Sequence, residues 1–143
     1  MRWVNRMVQE LGVGDAIDWL GPLDGREIVH ELRGAAAALI PTFIENCCTA
    51  MQEAMAIGTP VVVSFVGGIP SLARDEESCL FFPPDDDALC AFQLERAITD
   101  GQLAGKLAVE ARKIAALRND RGRILARQLH IYDEVVGHRN PTL

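Results

Sequence analysis

The chain has 143 residues, 49% of them hydrophobic and 24% charged. That is the make-up of one ordinary domain, able to remove about 68–70% of its unfolded surface from water, and it excludes disorder, collagen-like repeats and coiled coil as the main architecture. With 20 acidic residues against 14 basic ones the formal charge is −6, which argues against a general nucleic-acid or anionic-membrane surface, because such a surface needs Lys and Arg in excess on one face.

Residues 4–11 put Val4, Met7, Val8 and Leu11 at helical spacing and stop at Gly12 and Gly14, which predicts a first helix. Residues 17–20 read as a short strand ending in the turn Gly21-Pro22. Asp24 is placed to cap a second helix, with Glu27 as the partner of a capping box, Ile28, Val29 and Leu32 as the apolar stripe and Gly34 as the end. Residues 36–40 are a continuous small and apolar run closed by Pro41, the pattern of a strand buried on both faces.

A loop over residues 42–46 leads to a helix over 48–57, stopped by Gly58. Residues 61–64 form another strand of the buried kind, followed by the glycine loop Gly67-Gly68-Ile69-Pro70 and a short helix over 71–73. After an acidic turn, residues 80–82 are a fourth short strand, stopped by Pro83-Pro84. Residues 87–98, 103–117 and 124–136 are helical, with Tyr132, Ile131 and Val135 expected to pack the last helix onto the core. Strands that alternate with helices, each strand apolar throughout, predict an α/β unit whose parallel sheet of about four strands is covered on both faces.

Cys47, Cys48, Cys79 and Cys90 contain no CxxC, and His30, His130 and His138 have no metal-ligand spacing, so reduced thiols in a cytoplasmic protein are expected. Arg2 and Arg6 are followed by Gln9 and Glu10 instead of an apolar run, unlike a secretory signal peptide. The longest apolar stretch, residues 35–40, is far below the roughly 18 residues of a membrane span. The basic residues from 112 to 127 are interspersed with and followed by acidic ones, among them Asp120 and Asp133, and read as a solvated helical surface.

The chemistry concentrates between Pro41 and Val62, where Glu45 and Glu53 lie eight positions apart around a helix start. A helix start offers free N–H groups and a dipole that favour an anion, and in open α/β sheets it faces the ligand crevice at the C-terminal strand ends. A diphosphate on the amides near residues 48–50, with carboxylates accepting hydroxyl hydrogen bonds on either side, would suit two sugars joined by a diphosphate. The plain alternative is that both glutamates are surface residues. Against it, the helix is apolar over much of its surface, with Glu53 among Ala50, Met51, Ala54, Met55 and Ile57, and a carboxylate in such surroundings needs partners.

The run Pro-Thr-Phe-Ile-Glu-Asn, the E-x7-E pair, Glu-Ala-Met-Ala-Ile-Gly-Thr-Pro-Val-Val, Gly-Gly-Ile-Pro and Leu-Phe-Phe-Pro-Pro-Asp resemble, in order and over nearly the whole chain, the C-terminal half of the group 1 retaining glycosyltransferases with the GT-B fold. The resemblance implies a Rossmann-like three-layer domain that binds a nucleotide-sugar donor and serves hexosyl transfer with retention at the anomeric carbon, without a metal or other cofactor. It implies Glu45 at the donor sugar beside the reacting centre and Glu53 on the ribose hydroxyls. Cys48, Thr49 and Ala50 would offer backbone N–H groups to the diphosphate, with Asn46 next to them. Gly21, Pro22 and Leu23 would lie beside the nucleobase. Gly67 and Gly68 would either let the backbone approach the donor or make a tight turn.

The sequence also departs from the family pattern. Cys47 and Cys48 stand where aromatic and glycine residues are more common, leaving the shape of the sugar pocket open, and Ser71 stands where many members have glutamate, as a helix cap. The family's first strands, its Arg and Lys diphosphate clamp and its N-terminal acceptor domain have no counterpart here, and neither Arg2 nor Arg6 has the loop that would make it the clamp. Losing charge-assisted hydrogen bonds of about 1.5–3 kcal/mol each would leave donor binding weak and this chain inactive or nearly so alone. The competing expectation is a non-catalytic interaction module, self-associating through an exposed sheet edge. A sugar-nucleotide epimerase, with the same two-domain architecture, is a more distant alternative.

Overall fold

The computed structural model describes residues 2–137; Met1, His138 and residues 139–143 lie outside the described residues. Helix α1 (Arg2–Leu11) and a 3₁₀ turn (Gly14–Ala16) precede α2 (Gly25–Gly34), β1 (Ala38–Ile40), α3 (Thr49–Ile57) and β2 (Val61–Ser64). A second 3₁₀ turn (Ile69–Ser71) then leads to β3 (Leu80–Phe82), α4 (Asp87–Thr99), α5 (Gly101–Arg118) and α6 (Arg121–Gly137).

Local signals set several of these boundaries. The Asp24 carboxylate accepts from the Arg26 and Glu27 amides at 2.7 and 3.0 Å, and Glu27 accepts in return from the Asp24 amide at 2.7 Å, so the predicted capping box opens α2. Gly58, at φ 88°, ends α3 in the left-handed conformation. Pro41 closes β1 because it has no N–H to extend the ladder.

The sheet is parallel, in the order β1-β2-β3, with Leu39 opposite Val62 and Val63 opposite Phe81. Among the described residues it has three strands, not four. Residues 17–20 form no strand although Ile17 is extended (φ −122°, ψ 118°), because an extended segment becomes a strand only when its backbone groups pair in a ladder. The helix expected over 71–73 is the 3₁₀ turn Ile69–Ser71.

The side-chain alternation of β2 divides the core between the two faces of the sheet. Val61 and Val63 pack with Met51, Ala54 and Met55 of α3 and Ala111 and Ala115 of α5. Val62 turns the other way, to Leu80, Phe82, Ala97 of α4 and Leu107 of α5. β2 is buried throughout, whereas β1 is not the doubly buried strand its composition predicts: it lies at the end of the sheet, and Leu39 is 40% exposed. Tyr132, Ile131 and Val135 are likewise about half exposed instead of packing on the core, and α6 has no buried residue. No helix among the described residues is long and apolar enough to cross a membrane.

Candidate donor site at the carboxyl ends of the strands

Parallel strands bring the loops after β1, β2 and β3 to one end of the sheet. A small cleft of about 90 Å³ opens there, between Pro41, Thr42 and Phe43 after β1, Ser64 at the end of β2, and Phe82 and Asp86 at and beyond the end of β3. A larger groove of about 650 Å³ lies between α5 and α6, lined by Leu117, Arg118, Ile124 and Arg127. Its α6 wall is exposed throughout. Neither cavity is lined by Glu45, Glu53 or residues 46–50; the strand ends are the candidate site because the loops that carry those residues gather there, at the crevice position of an open α/β sheet.

Glu45 belongs to the β1–α3 loop and is half-buried. Its carboxylate accepts from the Asn46 amide at 2.8 Å, while its backbone carbonyl accepts from the Gly68 amide at 3.2 Å. That second bond requires the two loops to touch. A Cβ on Gly67 would stand 1.8 Å from the Glu45 carbonyl oxygen, one on Gly68 2.0 Å from that of Asn46, and Gly67 has φ +52°. Here both glycines serve the close approach of the Glu45–Asn46 backbone, a contact that neither reading from sequence considered.

Helix α3 begins at Thr49, four residues beyond Glu45, so the two glutamates are not separated along one helix axis. Cys48 is its N-cap, with no side chain hydrogen-bonded to the cap position and no acidic residue in the first turn. The first turn itself therefore holds no carboxylate to complement the dipole, and the nearby one is that of Glu45, beside the Cys48 cap. Burial pushes the Cys48 thiol above its usual value, the Met51 amide pulls the other way, and the neighbouring Glu45 carboxylate adds to the rise. Cys48 is thus a buried thiol pointing inward, while Cys47 is exposed.

Along α3, Met51, Ala54 and Met55 form the buried face, and Thr49, Ala50, Glu53 and Ala56 the exposed one. Glu53 is therefore not the carboxylate in buried surroundings that the apolar composition suggested. Helical spacing brings it onto the same face as Thr49 and Ala50. Gly21, with φ 71°, lines a groove beside α1 with Asn5, Val8 and Trp19. Pro22 is exposed and Leu23 half-buried, and no hydrogen bond among the described residues joins this turn to Glu45 or α3. Arg6 pairs with Glu10 at 2.8 Å. No group of three or more His, Cys, Asp or Glu side chains is arranged to hold a metal ion among the described residues.

Ser64 and Thr42, which sequence reasoning passed over, also shape the loop. The Ser64 hydroxyl donates to the Thr42 carbonyl at 2.5 Å, and the Thr42 hydroxyl to the Ile44 carbonyl at 3.0 Å. A serine at the end of an apolar strand was the only signal for either contact.

Residues 2–114 match the family model for group 1 glycosyl transferases. The chain belongs to that family. It is 33% identical over 115 residues to a D-inositol 3-phosphate glycosyltransferase of Stackebrandtia nassauensis, covering 80% of this chain and 26% of the relative. A second such enzyme, from Salinispora arenicola, is 32% identical over 135 residues, covering 94% of this chain and 30% of the relative. The group 1 chain thus spans less than a third of the length of these curated relatives. Among solved structures, sucrose-phosphate synthase from Thermosynechococcus elongatus superposes with a TM-score of 0.85 at 27% identity, over 96% of this chain and 34% of that one. Anabaena HepE, solved with UDP-glucose, superposes at 0.83 and 22% identity, over 93% of this chain and 36% of that one. The group 1 domain accordingly has the α/β fold of the GT-B glycosyltransferases.

Proposed function

We propose that this chain is the donor-binding domain of a glycosyltransferase that moves a hexosyl group from a nucleoside diphosphate sugar with retention of configuration. The observation that carries the reading is the placement of Glu45, held by the Gly67–Gly68 loop against the start of α3 at the carboxyl ends of the strands. Family membership and the UDP-glucose complex of a protein with the same fold support it. Glu45 contacts the donor sugar and Glu53 holds the ribose hydroxyls. The amides of Cys48, Thr49 and Ala50 meet the diphosphate, with Asn46, Gly67 and Gly68 shaping the site and Gly21, Pro22 and Leu23 bordering the base.

Charge grows on the departing diphosphate as the glycosidic bond breaks, and N–H donors already aimed at that position lower the barrier without reorganising. In this reading the helix start, with no metal cofactor, neutralises that charge. The acceptor site belongs to a further, N-terminal domain and the cationic clamp to the family's opening strands of this one, both outside the stretch matched here, which the curated relatives exceed more than threefold in length, and these residues alone turn over little or nothing. Four free thiols favour a reducing, cytoplasmic setting.

A second reading, an interaction module that keeps the fold without the chemistry, draws on the exposed apolar residues of β1, α1 and α6, among them Leu39, Trp3 and Leu129. Titration with UDP-glucose and GDP-glucose, followed by amide chemical shifts, separates the two. The donor reading expects shifts across residues 45–53 and, for Glu53→Ala, about 10- to 100-fold weaker binding, the value of a hydrogen bond to a charged group. Shifts confined to α6 or absent altogether would favour the module.

A further inference from the structure

We propose that Ser64 is a positioning residue for Glu45, a role that rests on the donor-site reading above. The β1–β2 ladder reaches Ile40 opposite Val63, and the next residue, Pro41, has no N–H with which to continue it. At this point the Ser64 side chain takes over. Ser64 is 1% exposed, and its hydroxyl donates its single proton to the Thr42 carbonyl at 2.5 Å, with the Ile40 carbonyl further off at 3.4 Å.

Four residues later the Gly68 amide holds the Glu45 carbonyl at 3.2 Å, and backbone contact at Gly67 and Gly68 leaves no room for a Cβ. Residues 42–45 are thus gripped at both ends by the segment that leaves β2. Between the grips the Thr42 hydroxyl closes onto the Ile44 carbonyl at 3.0 Å, so the direction in which the chain leaves β1 is passed on to Glu45. Without the Ser64 hydroxyl the Thr42 carbonyl loses its donor in a part-buried setting, and the first grip opens while the second holds. The Glu45 side chain then samples positions away from the donor sugar, whereas α3 and Glu53, to which Ser64 makes no hydrogen bond, keep theirs.

The test measures binding of UDP and of UDP-glucose to the 143-residue chain and to Ser64→Ala, with Ser64→Cys as a near-isosteric weaker donor and Val63→Ala as a destabilised control in the same strand. Ser64→Ala is expected to shift the amides of residues 42–46 without ligand and to reduce the preference for UDP-glucose over UDP about fivefold, roughly one net hydrogen bond, with UDP affinity unchanged. Ser64→Cys should lie between it and wild type, and Val63→Ala should lose stability but keep the preference. If wild type prefers UDP-glucose and the Ser64 variants keep that preference, the role of Ser64 is overturned and the donor site stands. Equal loss of preference in Val63→Ala would also overturn it, by showing that any destabilisation suffices. A wild type that binds neither ligand overturns the donor reading and this role with it.

Discussion

The two outer strands of the sheet, each three residues long and each paired to β2, end in opposite conditions. At β3 the outward backbone groups have side-chain partners. The Phe81 amide donates to Asp75 at 2.9 Å, and its carbonyl accepts from the buried Gln93 amide at 3.1 Å. Behind them Arg96 donates to the Gln93 side-chain oxygen at 2.7 Å and forks onto both Glu76 carboxylate oxygens at 2.6 and 2.8 Å, while Lys106 holds the Glu76 backbone carbonyl at 2.8 Å. At β1 the side chains are half-buried or exposed. A strand edge with unmet backbone groups is a template for another strand, so β3 is closed to further pairing by residues of this chain.

Replacing the same residue type in the two strands gives the largest expected contrast. Leu80→Ala, at a fully buried position, should cost about 2–5 kcal/mol of unfolding free energy through lost transfer energy and a residual cavity. Leu39→Ala, at 40% exposure, should fall within about 0.5 kcal/mol of wild type. Urea denaturation of both variants measures the difference, and equal losses would mean that β1 is covered in solution, by self-association or otherwise.

The middle-sized effect concerns the closure of β3. Gln93→Ala leaves the buried Phe81 carbonyl without its donor, an expected loss of about 1–3 kcal/mol, accompanied by faster hydrogen exchange of the Phe81 amide. A loss below this range would mean that another group or water takes the place of the Gln93 amide.

The smallest effect is electrostatic. The hydrogen bond from Arg96 holds the Glu76 carboxyl below its ordinary value of 4.5, with the charges of Arg96 and Lys106 acting in the same direction and burial opposing. A carboxyl lowered on folding adds stability that is complete above its unfolded value and disappears as pH falls through the lowered folded one. The Glu76 side chain is 49% exposed, so Glu76→Gln should cost under about 1 kcal/mol at pH 7. Thermal unfolding of the two proteins should begin to converge as pH falls past the unfolded carboxyl value and meet only below the lowered folded one; a gap that persists in strong acid would assign the effect to packing or hydrogen bonding instead of charge.

The start of α2 at Asp24, the stop of α3 at Gly58, the closures at Pro41 and Pro83 and the E-x7-E motif were all legible in the sequence, because caps, left-handed glycines and prolines act within a few residues of themselves. The same local rules mark residues 17–20 as extended without being able to supply the partner strand that would make them β. They also colour α3 apolar without saying that Glu53 falls on the exposed face opposite Met51 and Met55.

Tertiary structure alone decided which distant groups meet: Gly67 and Gly68 against the Glu45–Asn46 backbone, Ser64 on Thr42, Asp75 on the amide and Gln93 on the carbonyl of Phe81. The first two of these contacts join positions more than 20 residues apart, and those at Phe81 depend on where β3 lies in the sheet. They follow from the parallel stacking of β1, β2 and β3, which sets their loops side by side, and the residue types that make them, glycine, serine, glutamine and aspartate, have plain local uses everywhere else in a chain.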